Sequence, residues 1–502
     1  MLITDTSESF GKPENNPASS KCVSSKRDCS TCSGECTSCA PENLESETEE
    51  EEPRSPHFSA TRNACKLCTP LGACLAFRGI EGCIPFLHGS QGCSTYIRRY
   101  LISHFREPID IASSNFHEES AIFGGSANFT LGLGNVIRQY TPQLVGVATT
   151  CLAETIGENM ALLMEHFQEK NPSNTTPVVT VSTASYRGTH IDGFHAAVRA
   201  VVKQLACIPN PTPTQSVNLF PGMVSAADLR YLKEIFTDFE LPMTLLPDYS
   251  ETMDGVTWSQ YEKLQSGGTS VAEISRMGGA QASIEFGRTL EPPDTAASVL
   301  EKDCHVTRHS LGIPIGIHET DRLFKLLSSL AAKPVPLSHE KERGRLIDSL
   351  IDGHKYIFEK RAVVYGEEDL VIGLSAFLTE IGVVPVLCAS GGKSGHFEKA
   401  LREAAPKLPQ ETIIKEGCDF AEMAEIVPAL TPHFLLGSSK GYGLARQLKI
   451  PLVRVGFPIH DRIGGQRTLH VGYRGAQALF DRIVNTLMDV KQTTSPIGYS
   501  YL

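Results

Sequence analysis

The sequence contains no stretch of the roughly 20 uninterrupted apolar residues that a membrane-spanning helix needs, so no such helix is expected. Its first residues, Met1-Leu2-Ile3-Thr4-Asp5, lack the basic segment and following apolar run of a secretory signal, and the expected location is the cytoplasm. No Gly-x-Gly-x-x-Gly follows an expected strand and no Gly-x4-Gly-Lys-[Ser/Thr] occurs, so both nucleotide fingerprints are missing. Positive charge is not in excess either. The net charge of −11 argues against a nucleic-acid surface, although Glu45, Glu47 and Glu49 to Glu52 place six of the negative charges in one short segment. Neither a membrane nor nucleic acid is an expected partner.

What is present is a long chain rich in cysteine. Its 502 residues suffice for three or four domains, and 41% hydrophobic with 21% charged residues describes a globular protein with large buried sheets. Fifteen cysteines in a cytoplasmic chain read as metal ligands and buried thiols rather than disulfides. Residues 1–57 form an acidic, Ser- and Pro-rich tail with few large apolar side chains, too little to offset the entropy of ordering, and disorder is expected there. Within it Cys29, Cys32, Cys36 and Cys39, two C-x2-C pairs in close succession, are a candidate metal site for zinc or a small iron–sulfur cluster.

The remainder reads as α/β throughout, in three blocks: 58–210, 211–338 and 339–502. Short apolar runs rich in β-branched residues mark buried parallel strands at Leu144–Thr150, Val178–Ser182, Val217–Phe220, Met243–Leu246, Ala362–Tyr365, Val383–Leu387, Thr412–Ile414, Phe434–Leu436 and Leu452–Val455. One helix is expected over 154–170, giving a βαβ unit with the strands on either side. Another follows a capping box, Ser225-Ala-Ala-Asp228, and turns Leu229, Leu232, Ile235 and Phe236 to one face. A third starts in the acids Glu367, Glu368 and Asp369, where the macrodipole favours them, with Leu370, Leu374, Phe377, Leu378 and Ile381 as its buried stripe.

The candidate site lies in residues 65–151. Cys68 opens Cys68-Thr-Pro-Leu-Gly-Ala73, Cys93 closes His88-Gly-Ser-Gln-Gly-Cys93, and Cys151 ends an apolar strand. Gly72, Gly89 and Gly92 beside the first two thiols suggest a positive φ or close approach to a bulky ligand. Ligands gather outside the carboxyl ends of parallel strands, and thiolates are what iron–sulfur clusters take. Three such thiols make one wall of a cluster site, and the missing ligands point to another chain. The bland alternative is three buried thiols, since a free cysteine packs as a small hydrophobe. Cys65 is either a further ligand or a neighbour of the ligands. Cys74, Cys83, Cys207, Cys388 and Cys418 read as core, His88 as a turn histidine or a donor to cluster sulfur, and Arg98, Arg99 and Arg106 as charge compensation or a solvated face.

Taken with His104-Phe-Arg-Glu-Pro108, Glu119-Ser-Ala-Ile-Phe-Gly-Gly125, Thr149-Thr-Cys-Leu-Ala-Glu-Thr-Ile-Gly157, Lys341-Glu-Arg-Gly-Arg345 and Gly456-Phe-Pro-Ile-His-Asp-Arg462, the sequence from about Cys65 to Val490 resembles the nitrogenase component 1 family, in particular its β-type subunits. The resemblance implies three Rossmann-like domains with parallel sheets and an α2β2 assembly with an α-type partner. It also implies an iron–sulfur cluster shared at each α/β interface, P-cluster-like [8Fe-7S] or [4Fe-4S], and electrons delivered by a separate ATP-dependent iron protein. Cys68, Cys93 and Cys151 match the three cluster cysteines of β-subunits, and Ser185 aligns with a serine that can join the oxidised cluster. The family's active-site cofactor sits on the α-type partner; Cys304-His305 resembles no such site.

Two roles fit this frame. Leu246-Pro-Asp-Tyr-Ser-Glu-Thr-Met-Asp254 and Gly472-Tyr-Arg-Gly475 look like N-type subunits of the scaffold that assembles the iron–molybdenum cofactor, and the reading leans that way. Lys341–Arg345 and the complete cysteine triad look more like catalytic β-subunits, whose cluster relays electrons. A reading from another class is a zinc-binding or redox-regulated structural protein, against which the intact triad argues.

Overall fold

The computed structural model describes residues 65–206, 211–291 and 295–498. The N-terminal tail with Cys29, Cys32, Cys36 and Cys39, and also Cys207, lie outside the described residues.

The described strands form three all-parallel sheets. The first has the order β2-β1-β3-β4, from β1 (Cys83–His88), β2 (Ala112–Ser113), β3 (Leu144–Thr149) and β4 (Val178–Val181). The second has the order β6-β5-β7-β8, from β5 (Val217–Phe220), β6 (Met243–Leu245), β7 (Ala282–Phe286) and β8 (Thr307–Leu311). The third has the order β11-β10-β9-β12-β13, from β9 (Arg361–Gly366), β10 (Val384–Ser390), β11 (Ile413–Lys415), β12 (Phe434–Gly437) and β13 (Leu452–Arg454). Helices cover both faces, so the central strands β1, β3, β5 and β7 are buried along their whole length. All nine expected strands are present.

Local chemistry explains most element boundaries. Ser225 Oγ accepts from Asp228 N at 2.9 Å and Asp228 Oδ2 accepts from Ser225 N at 3.1 Å, which is the expected capping box. The helix it starts, Ala226–Asp238, buries Leu229, Leu232, Ile235 and Phe236 as expected. The single helix expected over 154–170 is two, Cys151–Thr155 and Met160–Lys170. Gly157 takes φ +78° and ends the first, and Asn159 restarts the second by accepting from Ala161 N and Leu162 N at 3.1 and 3.3 Å. Four strands have weak sequence signals. In β1, Pro85 reads against a strand, but β2 pairs only with Phe86 and Leu87, leaving Pro85 without a partner on that side. In β7 the buried Glu285 breaks the apolar run, and Arg308 on neighbouring β8 donates to it at 2.5 Å.

One helix–helix contact sets up the first sheet. Thr69–Arg78 crosses His190–Val201 so closely that a Cβ on Gly72 would lie 1.6 Å from His190 O, and one on Gly193 would lie 1.9 Å from Thr69 O. The other side of Thr69–Arg78 rests on β3, where Phe77 fills the space left by Gly146. Its amino end, and with it Cys68, is thereby fixed.

Candidate iron–sulfur half-site

The order in which strands are added to the first sheet reverses between β1 and β3, and open parallel sheets hold ligands at that switch point. His88 pairs with Thr149 across it, so the two carboxyl ends are level. β1 runs through Gly89 and Ser90 into the helix Gln91–Phe105, whose third residue is Cys93. β3 runs through Thr150 into the helix that Cys151 begins. β4, paired with β3, leads to Ser185. Cys68 is the N-cap of Thr69–Arg78.

These four residues are brought together. Ser185 hydrogen-bonds the Cys68 thiol; burial raises that thiol's pKa, as do the neighbouring Cys151 and Cys93, while Ser185 opposes the rise. Cys68, Cys93 and Cys151 are each half-buried, whereas Cys74, Cys83, Cys388 and Cys418 are buried, as core cysteines were expected to be. Burial holds Cys83 and Cys388 up at about 12, which keeps them as thiols. Cys65 stands apart from the trio. Its neighbours are Glu367, Lys440 and Asp419, and burial pushes it to about 12. Cys304 lies against Gly278 and packs the second block.

A hydrogen-bonded frame holds the strand ends behind the thiols. Thr150 N and Oγ1 both donate to His88 O, at 3.1 and 3.2 Å. Thr183 N donates to Thr149 Oγ1 at 2.9 Å, and Thr183 Oγ1 to Thr149 O at 2.6 Å. Glu154, one turn past Cys151, accepts from Thr149 Oγ1 at 2.5 Å and Ser182 Oγ at 2.6 Å. Ser90 Oγ lies 3.5 Å from Cys93 Sγ. Glu154 lies within the Thr149–Gly157 motif and Thr183 beside Ser185, but the sequence assigns neither of them a role.

Two expectations are corrected here. His88 is not a turn residue: it ends β1 fully buried, with Nδ1 3.1 Å from Ser114 Oγ and Nε2 3.8 Å from Glu158, and burial lowers its pKa to about 4. None of Gly72, Gly89 and Gly92 has a positive φ. Gly72 and Gly89 are needed because the chain itself comes close, at His190 O and at Thr150 Oγ1, and only Gly92 borders open space. Arg98, Arg99 and Arg106 are exposed, in keeping with the solvated-face alternative, with Arg98 paired to Asp110 at 3.5 Å and Arg106 donating to His460 O at 3.1 Å. The Gly456–Arg462 segment packs inward, with Phe457 against His104 and Ile459 N donating to His104 Nδ1 at 2.9 Å.

The thiols sit among exposed apolar side chains. Leu152 adjoins Cys151, Tyr186 adjoins Ser185 and Tyr96 is one turn beyond Cys93. Phe123, 82% exposed, precedes Gly124 and Gly125, and Gly125 N donates to Glu158. No three His, Cys, Asp or Glu side chains among the described residues are arranged to hold a single metal ion.

The model for nitrogenase component 1 type oxidoreductases matches residues 68–488. The nitrogenase molybdenum-iron protein beta chain of Clostridium pasteurianum is 34% identical over 430 residues, 85% of this chain and 93% of that one. That of Crocosphaera subtropica is 35% identical over 435 residues, 86% and 84% of the two chains. A solved chain of nitrogenase Cp1 at pH 6.5 superposes with a TM-score of 0.85 at 31% identity, covering 90% of this chain and 98% of that one. No described helix is long and apolar enough to cross a membrane. The chain belongs to the nitrogenase component 1 family of oxidoreductases, as a β-type member.

Proposed function

We propose that this chain is the β-type half of a component 1 assembly, and that Cys68, Cys93, Cys151 and Ser185 hold one side of an iron–sulfur cluster completed by thiolates of an α-type partner. The observation that carries the reading is the gathering of three half-exposed thiols and one hydroxyl at the switch point of a single sheet, while the buried cysteines are packed away. The donor set fits: three sulfurs and a serine oxygen are ligands that such clusters take. When bound, the cluster would accept and pass on electrons. The chain's own part is to fix the thiols through the β1, β3 and β4 ends, to keep His88 neutral behind them, and to offer Tyr96, Phe123, Leu152 and Tyr186 as an apolar rim. A surface of that kind excludes water once a partner covers it. The α-type subunit and an ATP-dependent iron protein are the partners in this reading.

Of the two roles, we take electron relay in a reductase as the first reading and cofactor assembly as the second. The relatives reported above carry the name of the molybdenum-iron protein. The segments that suggest a scaffold role serve internal packing: Tyr249 and Met253 are core, Asp248 pairs with Lys233 at 2.9 Å, and Tyr473 donates to Asp321 at 2.6 Å. The same holds for Lys341–Arg345, where Arg343 grips Asp321 through two 2.9 Å bonds. Neither set reaches a decision by itself.

The test is anaerobic co-purification with the α-type partner. Iron, sulfide and the electron-spin signal should drop in Cys93→Ala and Cys151→Ala, and full metal content in both would end the cluster assignment. Supplied with iron protein and ATP, the intact complex should reduce acetylene; a complex that only donates cofactor to an apo-reductase would return the assignment to the scaffold.

A further inference from the structure

A cavity of about 510 Å³ lies apart from the thiol face, where the carboxyl ends of β5 and β7 meet those of β9 and β10. β5 and β7 flank the switch point of the second sheet, the place where parallel sheets put ligands. The volume falls within the roughly 300–1,000 Å³ of small-molecule sites. Met223, Phe286, Leu290 and Ile313 supply an apolar wall. The opposite wall is polar, and its charges fall into two groups.

Five carboxylates line the cavity, and each is already engaged. Glu367 takes His190 Nε2 at 2.9 Å, and Asp369 accepts from Arg288 N, Thr289 N and Thr289 Oγ1 at 2.6, 3.1 and 2.9 Å. Asp192 accepts twice from Thr189, and Glu291 faces His396 at 3.3 Å. Glu368 accepts from Ser394 N at 3.2 Å. Lys66 and Lys393, by contrast, line the cavity with no side-chain hydrogen bond or ion pair among the described residues. Lys393 sits in Gly391-Gly392-Lys393-Ser394-Gly395, directly after β10. This turn is too short for a nucleotide fingerprint but similar in chemistry, and its Ser394 N–H already holds a carboxylate. The helix Glu368–Glu380 begins at the same wall, and no side chain caps it.

We infer that this cavity binds a small organic anion, its phosphate or carboxylate head between Lys66 and Lys393 and its apolar body against Met223, Phe286, Leu290 and Ile313. Charge-assisted bonds to two unpaired ammonium groups favour such a head, whereas an amine would have to displace donors already in place. The inference is independent of what the thiols hold.

Binding to the purified complex is measured by calorimetry with probes that share one ring: phenyl phosphate, benzoate and benzylamine, with inorganic phosphate alongside. Phenyl phosphate or benzoate should bind, and whichever is tighter identifies the head. Benzylamine should bind at least tenfold more weakly, and inorganic phosphate, lacking the ring, more weakly than phenyl phosphate. The double variant Lys66→Gln, Lys393→Gln should weaken the anion at least tenfold with iron content unchanged. Should that variant not fold, Met223→Trp, which narrows the apolar side, should weaken the same probe. Benzylamine binding as tightly as the anions, no anion binding at millimolar concentration, or anion binding that ignores these substitutions would each overturn the inference.

Discussion

The first and third sheets are built alike, parallel and flanked by helices, yet they treat cysteine in opposite ways. In the third, Cys388 lies inside β10, buried and 3.3 Å from Ser375 Oγ, its thiol held at about 12. In the first, Cys93 and Cys151 lie just past β1 and β3, in the first turns of the helices that follow, and stay half exposed. The difference is one of position along the strand. A thiol within a strand is covered on both faces; a thiol one turn beyond it meets whatever docks on the sheet edge. Chemistry in this fold is therefore a property of edges, and the interior exists to hold them still.

The strongest way to break that contrast is to disturb the support under one edge only. Gly72→Val places atoms where His190 O already lies, and the crossing of two helices must open. A loss of about 3 kcal/mol or more is expected in denaturant unfolding, together with loss of iron as the Cys68 turn moves. Gly443→Ala, on the third-sheet side, meets nothing within 4 Å in the helix Tyr442–Leu448. There, stability should rise by about 0.5–1 kcal/mol. A similar loss at both positions would remove the distinction between the sheets.

Acid should find the first sheet before the third. Burial depresses His88 to about 4, and burial together with the charges of His460 and Arg106 depresses His104 to about 3. The unfolded chain takes up a proton at each near 6.5, so their contribution is complete above that pH and is lost as pH falls toward 3–4. A loss on the order of 2–4 kcal/mol is expected between pH 6.5 and 4. Chemical denaturation across that range checks it. His104→Gln, which keeps an acceptor for Ile459 N, should flatten the slope; His433→Gln on exposed ground beside the third sheet should leave it almost unchanged. A slope equal in all three proteins would place the acid-sensitive groups elsewhere.

The cysteines sharpen the comparison at smaller cost. Cys388→Ala removes a packed sulfur and should lower stability on the order of 1 kcal/mol while metal content stays whole. Cys151→Ala should do the reverse, within about 0.5 kcal/mol of wild type in unfolding of the metal-free chain, but depleted in iron. Iron loss in Cys388→Ala would mean that the interior thiol is not inert.

Much of this was legible in the sequence, and the exceptions have physical causes. Runs such as Leu144–Thr149 announce themselves because strands buried on both faces must be apolar throughout. β7 and β8 stay silent because Glu285 and Arg308 neutralise each other across two strands, which no local window registers. The motif residues Cys68, Cys93, Cys151 and Ser185 could be found because the turns around them are distinctive, and the structure brings them together. The meaning of the glycines could not be read: Gly72 and Gly89 looked like room for a ligand, and they are room for the chain's own backbone and Thr150. His88 looked like a turn because the strand before it carries a proline. Contacts made through space, such as those of Glu154 with Thr149 and Ser182, are not readable even from a residue that lies inside a motif.

The smallest effect belongs to a surface pair on the third-sheet side. Arg402 Nε donates to Glu398 Oε1 at 2.9 Å along the helix Phe397–Ala404, and Glu398 is largely exposed. In water of high dielectric the attraction is offset by the entropy of pinning two long side chains, so Arg402→Ala should cost only about 0.3–0.5 kcal/mol. Screening should erase even that at about 1 M salt, where the Debye length is near 3 Å. Unfolding at low and high salt, wild type beside variant, measures both numbers. If stability in this fold comes from the interior and chemistry from the edges, a charge far from either has little to contribute; a salt-insensitive loss above about 1 kcal/mol would show that the outer helices carry more of the third sheet than their packing implies.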